Sequence, residues 1–381
     1  MNRRQFLSTS SVLPAVFAVS YAPNALAASG SPIIIGQSAP LTGPASQLGI
    51  QFRAGAQLYF DQFNARGGVQ NHPIKLQTLD DGYDPSRTIS NTETLLATPG
   101  LTALFGYIGT PTTLAAVPYF TKKAIPLVAP FTGAESLREP FNPLIFHVRA
   151  SYFDETAAIV KLGKNLLQKT FAVFYQNDSF GNAGLQGVTK ALADQGLPPP
   201  IVTATVERNS TDVVAAASKI AKFKPDAVVM ISAYTSCAAF VRAFRGLKVQ
   251  TSFSTVSFVG SQALSDALGE DGAGVQISQV MPNPEVGSTA LAKGFLAACE
   301  KSNFLVQPNY SSLEGWASAS ILCEGLKRIR GAITPASLIA GLESIKNFDL
   351  GGVPISYSNN NHKGSNFVEL TIIGRNGKLI R

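Results

Sequence analysis

The sequence lacks the residue patterns on which most enzyme classes depend. Only three histidines occur in 381 residues, and no G-x-S-x-G elbow is present, so the machinery of a serine hydrolase is missing. Neither a G-x-x-x-x-G-K-[ST] loop nor a G-x-G-x-x-G loop after a strand occurs, which argues against nucleotide binding. No H-E-x-x-H motif or carboxylate cluster indicates a metal site. We therefore expect a protein that is not an enzyme and that needs neither a cofactor nor a metal ion.

Cysteine is scarce as well, and its spacing excludes paired motifs. The three cysteines are Cys237, Cys299 and Cys323. None belongs to a C-x-x-C pair, so a zinc or redox motif is absent. Cys299 and Cys323 both fall in helix-like segments, where a disulfide could form in an oxidising compartment. Buried free thiols are the simpler expectation.

Charge is low for a chain of this length and is not concentrated anywhere. Charged residues make up 14% of the chain, and the formal net charge is +7. No cluster of lysine and arginine forms a basic stripe, so nucleic acid is not an expected partner. Hydrophobic residues make up 45%, which is enough for an ample core. The length predicts two domains.

The first 27 residues have the features of an export signal. They contain no acidic residue, place Arg3 beside Arg4, continue into a modest apolar run, and end in the small-residue pattern A-x-A at Ala27. The apolar run is far shorter than the roughly 20 residues of a membrane span. The paired arginines resemble a twin-arginine signal, with an ordinary secretory signal as the alternative. Cleavage near Ala27 predicts a soluble periplasmic protein without a lipid anchor, and it lowers the net charge from +7 to +5.

Strand-like and helix-like patterns alternate along the middle of the chain. Asp84 and Pro85 illustrate a helix start, with aspartate as the N-cap and proline in the first turn. Such alternation predicts an α/β fold with parallel sheets and helices on both faces. Ten strands are too many for one compact sheet of this sort, so two five-stranded sheets are expected. The predicted strands are residues 33–35, 74–79, 101–107, 125–129 and 145–148, followed by 171–175, 201–206, 227–231, 253–256 and 275–280.

The last hundred residues have a more helical pattern. Residues 288–302 and 311–329 each have the spacing of an amphipathic helix. Residues 353–357 and 367–373 then resemble two strands separated by the polar turn 358–364. This pattern predicts a closing β-hairpin.

The most distinctive polar loop follows the strand predicted over residues 101–107. Thr110 is suited to be a helix N-cap, and Pro111 to be the first helical residue. The free N–H groups of Thr112 and Thr113 would then point out of the helix start, where the helix dipole adds positive charge. Such an end can bind a carboxylate. An ordinary cap that meets only water is the alternative.

The order of motifs along the chain adds a stronger indication. The chain has P-L-T-G-P at 40–44, F-N-A-R-G-G at 63–68, a strand that ends in Asp80-Asp81, and a D-P helix start four residues later. This ordered set resembles the branched-chain amino-acid-binding proteins of ABC transporters, which are type I periplasmic binding proteins. The resemblance continues through A-I-P-L-V-A-P-F-T-G-A-E-S-L and F-A-V-F-Y-Q-N-D-S-F-G, and it covers essentially the whole mature chain.

The resemblance implies two Rossmann-like lobes with parallel sheets, joined by a three-strand hinge. Lobe 1 would contain residues 33–148 and 281–357, and lobe 2 would contain residues 149–280 and 358–381. A small ligand would be captured between the lobes as they close. A monomer would then deliver it to ABC transporter permease subunits in the inner membrane. A periplasmic ligand sensor of the same fold that signals to a membrane partner is the second interpretation, and an enzyme on this scaffold is the third.

Ligand-binding residues follow from the resemblance only where the motifs match. In lobe 1, Gly109 and Thr110 lie in the loop that holds the ligand carboxylate in this family. The next loop uses backbone groups and a hydroxyl, which points to Phe131, Thr132 and Gly133. Thr132 is displaced by about one position from the family pattern.

Other positions depart from the family pattern. Leu48 stands where relatives often stack an aromatic side chain on the ligand. In lobe 2, Phe180 replaces a frequent tyrosine, and Tyr234 lies in a loop that often supplies another aromatic. Ser257 and Phe258 occupy the region where amino-acid binders place an acidic residue for the ligand ammonium.

These departures predict the ligand class. A buried ammonium needs a compensating anion, and the loop 254–260 contains no acid. Hydroxyls beside apolar and aromatic groups favour a small organic acid or amide over an amino acid. Asp178 is close to Phe180 and could reach an ammonium, so an amino-acid ligand stays open. Tyr83 and Gly109 stand where many relatives have a disulfide, so lobe 1 is expected to lack that bond.

Overall fold

The computed structural model describes residues 30–380. The export signal predicted over residues 1–27 lies outside the described residues. The described chain builds two main sheets, and the loops at the edge of each sheet carry the candidate site.

The first sheet is built from the first five strands of the chain, which all run parallel. The strands are β1 (Ile33–Ala39), β2 (Ile74–Asp80), β3 (Leu101–Phe105), β4 (Leu127–Val128) and β5 (Ile145–Phe146). Their spatial order is β2-β1-β3-β4-β5. The connecting helices are α1 (Ser46–Asn64), α2 (Pro85–Leu96) and α3 (Thr110–Lys122). Every residue of β3 is buried, as expected for a parallel sheet covered on both faces.

The second sheet contains five parallel strands and two antiparallel strands from the end of the chain. The parallel strands are β6 (Phe171–Gln176), β7 (Val202–Val206), β8 (Ala227–Ile231), β9 (Ser252–Thr255) and β10 (Gln276–Gln279), and the antiparallel strands are β13 (Glu369–Ile373) and β14 (Leu379–Ile380). Their order is β14-β13-β10-β9-β8-β6-β7. The helices of this part are α4 (Tyr152–Asn165), α5 (Ser179–Asp194), α6 (Val214–Ala221), α7 (Tyr234–Gly246) and α8 (Ser261–Leu268).

Three helices and a small two-stranded sheet lie between β10 and β13. They are α9 (Ala290–Lys301), α10 (Tyr310–Lys327), α11 (Pro335–Glu343), β11 (Phe348–Asp349) and β12 (Pro354–Ile355). Helix α10 packs closely on α1, because a Cβ atom at Gly55 or at Gly315 would collide with the backbone of the facing helix. This close packing fixes the position of Glu314, next to Gly315, near the first-sheet loops.

All ten predicted strands are present in two sheets, which confirms the α/β prediction. The prediction of five strands in each sheet was wrong for the second sheet, which has seven strands because β13 and β14 join its edge. Asp84 also caps α2 as predicted, since its Oδ1 accepts hydrogen bonds from the N–H groups of Ser86 and Arg87. The prediction of a closing β-hairpin was wrong. Strand β12 pairs with β11, whereas β13 pairs with the distant β10. The polar segment 358–364 therefore connects two different sheets instead of turning back within one.

The chain segments that pass between the two sheets lie side by side and are hydrogen-bonded. The N–H group of His147 donates to the carbonyl of His362 at 2.9 Å, and the Tyr357 hydroxyl donates to the carbonyl of His147 at 2.7 Å. The N–H group of Ser365 donates to the carbonyl of Val148 at 3.2 Å. Adjacent crossovers of this kind can act as a hinge.

The three cysteines are buried free thiols in the structure. Within residues 30–380, none of the helices combines the length and the apolar character that a membrane span requires.

Candidate functional site

The ten residues predicted to contact a ligand are all buried. They lie beyond the carboxyl ends of strands in both sheets, where α/β folds bind ligands. The ten residues are Leu48 at the start of α1, Gly109 and Thr110 after β3, Phe131, Thr132 and Gly133 after β4, Phe180 after β6, Tyr234 after β8, and Ser257 and Phe258 after β9.

Phe258 lies at the centre of a group of aromatic rings that come from both sheets. Its ring centroid is 4.5 Å from that of Phe180, 5.7 Å from that of Phe131 and 6.0 Å from that of Tyr83. These tilted arrangements are favourable for aromatic pairs. Phe131 and Tyr83 follow strands of the first sheet, whereas Phe180 and Phe258 follow strands of the second. We call these four rings the aromatic cluster, and it joins the two sets of loops.

Leu48 and Tyr234 relate differently to the aromatic cluster. Leu48 reaches across to the second-sheet loop, because a Cβ atom on Gly260 would collide with its side chain. Tyr234 is buried at the start of α7, but in the described part of the chain it shares no ring contact with the aromatic cluster. The structure therefore brings Leu48 to the Phe258 loop and leaves Tyr234 outside the group of rings.

Two threonine hydroxyls meet beside the aromatic cluster. The Oγ1 atoms of Thr110 and Thr132 share a hydrogen bond of 2.7 Å, and both residues are fully buried. Thr132 also donates to the Tyr152 hydroxyl at 3.3 Å, and the Tyr152 ring lies 5.4 Å from that of Phe180. The two threonine hydroxyls that were predicted from separate loops thus form one polar patch.

The prediction that Thr110 is the N-cap of its helix was wrong by one residue. Gly109 is the cap, with a φ of 100°, and Thr110 is already helical. The N–H group of Thr113, which was expected to be free, donates to the carbonyl of Gly109 at 3.1 Å. The reason is steric, because only glycine fits at position 109: a Cβ atom there would collide with the Tyr83 ring. The Thr110 hydroxyl is thereby released for Thr132.

Tyr83 packs directly on Gly109. Its ring is fully buried, and its hydroxyl accepts a hydrogen bond of 3.2 Å from Gln176 at the end of β6. Asn209, which follows β7, donates from Nδ2 to the carbonyl of Gly82 at 3.2 Å. Tight packing and contacts with the second-sheet loops therefore hold this first-sheet loop in place.

Arg149 is the charged group at the centre of the site. It is 1% exposed, and its guanidinium carbon lies 4.4 Å from the centroid of the Phe131 ring. Its Nε atom lies 3.2 Å from Glu314 Oε1, and its Nη2 group donates to the hydroxyl of Ser257. Neither its Nη1 group nor its Nε group has a hydrogen-bond partner within residues 30–380.

Glu155 is fully buried in α4 and lies on the other side of Ser257. Its carboxylate accepts hydrogen bonds from the Ser257 N–H group at 2.7 Å, from the Ser257 hydroxyl at 3.1 Å and from the Ser278 hydroxyl at 2.6 Å. Three donors of this kind satisfy a buried carboxylate well. We call Arg149, Glu155 and Glu314 the charged triad.

Burial and the positive charge of Arg149 have opposite effects on the pKa values of Glu155 and Glu314. Burial raises the pKa of Glu314 to about 7, although the positive charge of Arg149 opposes that rise. Burial also raises the pKa of Glu155, against Arg149 and the serine donors. The charged triad has one net negative charge when both acids are ionised, and it is neutral when one acid is protonated. Because burial raises the pKa of both acids, a proton on either of them removes the net charge of the site.

Asp178, the acid that could have reached a ligand ammonium, is already bonded to other groups of the protein. It caps α5 by accepting from the N–H group of Phe180 at 2.9 Å. Its Oδ2 atom accepts from Gln176 at 2.6 Å and lies 3.2 Å from Arg208 Nε. The structure therefore weakens the case for Asp178 as a ligand group.

Sequence reasoning missed the charged triad, although a signal was present. Glu155 falls on the buried stripe of α4, between Tyr152 and Ile159, and Glu314 falls on the buried face of α10. Arg149 directly follows a buried segment. A charged residue at an apolar position of a helix stripe indicates a buried, paired charge.

The chain is similar to known periplasmic proteins along nearly its whole length. A family model described as "Periplasmic binding protein" matches residues 32–378. The Leu/Ile/Val-binding protein BraC3 of Rhizobium johnstonii is 24% identical over 326 residues, which cover 82% of this chain and 84% of that protein.

Two solved structures share the fold closely. A "possible leucine/isoleucine/valine-binding protein" from Rhodopirellula baltica has a TM-score of 0.88 and 31% identity, and the match covers 92% of this chain and 96% of that one. A substrate-binding periplasmic protein from Ralstonia solanacearum has a TM-score of 0.85 and 27% identity, and the match covers 91% and 99%.

Proposed function

The chain belongs to the periplasmic binding protein family, and we propose that it captures a small organic ligand outside the cytoplasm for an ABC import system. Proteins of this kind bind ligands and are not enzymes. The observation that carries the proposal is the aromatic cluster, in which rings from the loops of both sheets meet. Such a junction can open to admit a ligand and close over it.

The proposed lobes follow the two sheets. Lobe 1 contains residues 33–148 and 281–357, and lobe 2 contains residues 149–280 and 358–381. The hydrogen bonds among His147, Tyr357 and His362 support a hinge where the chain crosses between the lobes. Opening about this hinge separates Phe131 from Phe258, whose rings are in contact in this closed arrangement.

The proposed ligand has an apolar or aromatic body and one polar end. The aromatic cluster and Leu48 suit the body, and the hydroxyls of Thr110 and Thr132 suit the polar end. An organic acid or amide fits this combination. A branched-chain amino acid is the second candidate, because the relatives from R. johnstonii and R. baltica have names that refer to leucine, isoleucine and valine.

A thermal-shift screen of refolded protein tests the proposed function. The panel contains branched-chain amino acids, short amides, dicarboxylates and aromatic acids. A ligand present at 1,000 times its Kd stabilises the folded state by about 4 kcal/mol.

We expect the T110V variant to bind the same ligand more weakly by roughly 1.5–3 kcal/mol, because it loses a hydroxyl donor to an anionic or polar group.

The exposed Thr121 of the same helix provides the matched control, and T121V should bind like the unchanged protein. Equal affinities for T110V and T121V would remove the Thr110 hydroxyl from the site. A panel in which no compound stabilises the protein would contradict ligand capture itself.

We also propose that the protein is exported through the twin-arginine route, is cleaved near Ala27, and acts as a monomer with permease subunits in the inner membrane. The translocase reads the paired arginines as an address. Replacing Arg3 and Arg4 together with lysine keeps the charge but should leave precursor in the cytoplasm, as measured by fractionation. Mature protein in the periplasm at normal levels would instead indicate the ordinary secretory route.

A further inference from the structure

The Arg149 guanidinium has donors that the protein leaves unused. The side chain is 1% exposed, and neither Nη1 nor Nε has a hydrogen-bond partner within residues 30–380, whereas Nη2 is bonded to Ser257. Nε still faces Glu314 Oε1 at 3.2 Å in an ion pair, so Nη1 is the donor that is left for a ligand. A buried N–H donor without a partner is costly and needs an explanation. Because the guanidinium also lies on the Phe131 ring, the unused donor is next to the aromatic cluster.

The acidic side chains described around the site are each hydrogen-bonded to, or paired with, other groups of the protein. Glu155 accepts three hydrogen bonds from Ser257 and Ser278, Glu314 faces Arg149, and Asp178 holds both a helix start and Arg208. A ligand ammonium would have to displace one of these donors. These acids therefore leave no unpaired carboxylate for a ligand ammonium, whereas Arg149 offers a buried cation.

We propose, on the basis of the proposed function, that Arg149 binds the carboxylate of a ligand that has no ammonium group, and that Glu314 takes up a proton as this carboxylate enters. A guanidinium can bind carboxylates through several N–H groups at once. A carboxylate at Nη1 would share the guanidinium with Glu314, so that two negative charges approach each other. Two carboxylates that share one site cannot both remain ionised at low cost, and one of them is protonated.

Glu314 is the acid that takes the proton. The charged groups that act on it are Arg149, from the crossover, and Glu155, from α4. Its pKa is already raised to about 7 by burial, and a ligand anion raises it further. The acid therefore binds with its full affinity below pH 7, and this affinity falls as the pH rises above 7. The affinity falls by up to about tenfold per pH unit, because one proton is taken up with the ligand.

Calorimetry with matched probes tests this proposal. The aromatic set is 3-phenylpropanoate, 3-phenylpropanamide and phenylalanine, and the aliphatic set is 4-methylpentanoate and leucine. In at least one set, we expect the acid to bind roughly 10- to 100-fold more tightly than its amide or amino acid. At pH 7.5, titrations in buffers of different ionisation enthalpy should show uptake of most of one proton with the acid.

Two variants separate the role of Glu314 from structural effects. E314Q imitates the protonated acid, so it should bind the acid without proton uptake and without the loss of affinity above pH 7. E324Q removes a partly exposed carboxylate from the same helix and should keep the pH dependence of the unchanged protein. R149Q should remove the preference for the acid over the amide.

The proposal is wrong if leucine or phenylalanine binds more tightly than the matched acid, if acid binding is independent of pH, or if neither acid binds. R149Q removes a buried cation and is expected to fold less stably, so E314Q and the titrations of the unchanged protein decide the question without it. Any of the three contradicting outcomes would still be compatible with ligand capture, provided that another compound of the screening panel stabilises the protein. The failure of this inference is thus distinguishable from the failure of the proposed function.

Discussion

Replacing Glu155 with alanine is expected to lower the free energy of unfolding by about 3–5 kcal/mol, because it leaves three buried hydrogen-bond donors unsatisfied at roughly 1–3 kcal/mol each. The carboxylate accepts three hydrogen bonds and lies close to Arg149 in a fully buried position. Its removal leaves the donors of Ser257 and Ser278 unsatisfied. Urea denaturation, followed by circular dichroism, measures the change.

The matched control is E300A, which removes an exposed glutamate from helix α9. Surface substitutions of this kind usually change stability by less than about 0.5 kcal/mol. If E155A and E300A unfold at the same urea concentration, Glu155 does not support the charged triad as we describe it.

Replacing Phe258 with alanine is expected to weaken ligand binding by roughly 100-fold. Phe258 contacts three other rings of the aromatic cluster, and large aromatic side chains at the centre of a buried interface contribute about 2–4 kcal/mol to binding. Isothermal titration calorimetry, with the strongest ligand of the screening panel, measures the loss. F258L keeps most of the apolar volume and should lose less affinity than F258A.

The control for this prediction is F223A, since Phe223 is 53% exposed in the second lobe. It should bind the ligand with unchanged affinity. A folded F258A variant that binds as tightly as F223A would place the ligand away from the aromatic cluster.

The fold was predictable because local patterns determine most of it. All ten strands of the parallel parts of the sheets come from short β-rich runs that alternate with helical spacing. The closing hairpin was not predictable in the same way. Strand β13 pairs with β10, about ninety residues earlier in the chain, and a local pattern does not encode the partner of a strand. The polar segment 358–364 has the composition of a hairpin turn, but it connects two sheets.

The candidate site was predictable in its loops but not in its charges. Thr110 and Thr132 follow the adjacent parallel strands β3 and β4, so their meeting follows from the topology of the first sheet. Arg149 and Glu314 are 165 positions apart, and their pairing depends on how α10 packs against α1. Charged residues are usually exposed, and neither residue alone indicates which partner it meets.

The helix start at Thr110 was displaced for a similar reason. Threonine and glycine are about equally suited to be an N-cap, so composition alone does not decide between positions 109 and 110. Tyr83 comes from a different loop, and its ring occupies the space that any Cβ atom at position 109 would need. A tertiary contact thus decides which residue is the cap and leaves the Thr110 hydroxyl free to meet Thr132.

Capture of a ligand between two lobes is the central claim, and hydrogen–deuterium exchange with and without the strongest ligand of the panel tests it most directly. One ligand should slow exchange at the same time in residues 107–113 and 130–134 of lobe 1 and in residues 178–182 and 256–261 of lobe 2. This result follows because closure buries the loops of both lobes together. Protection that is confined to one lobe, or that lies away from these loops, would contradict the account.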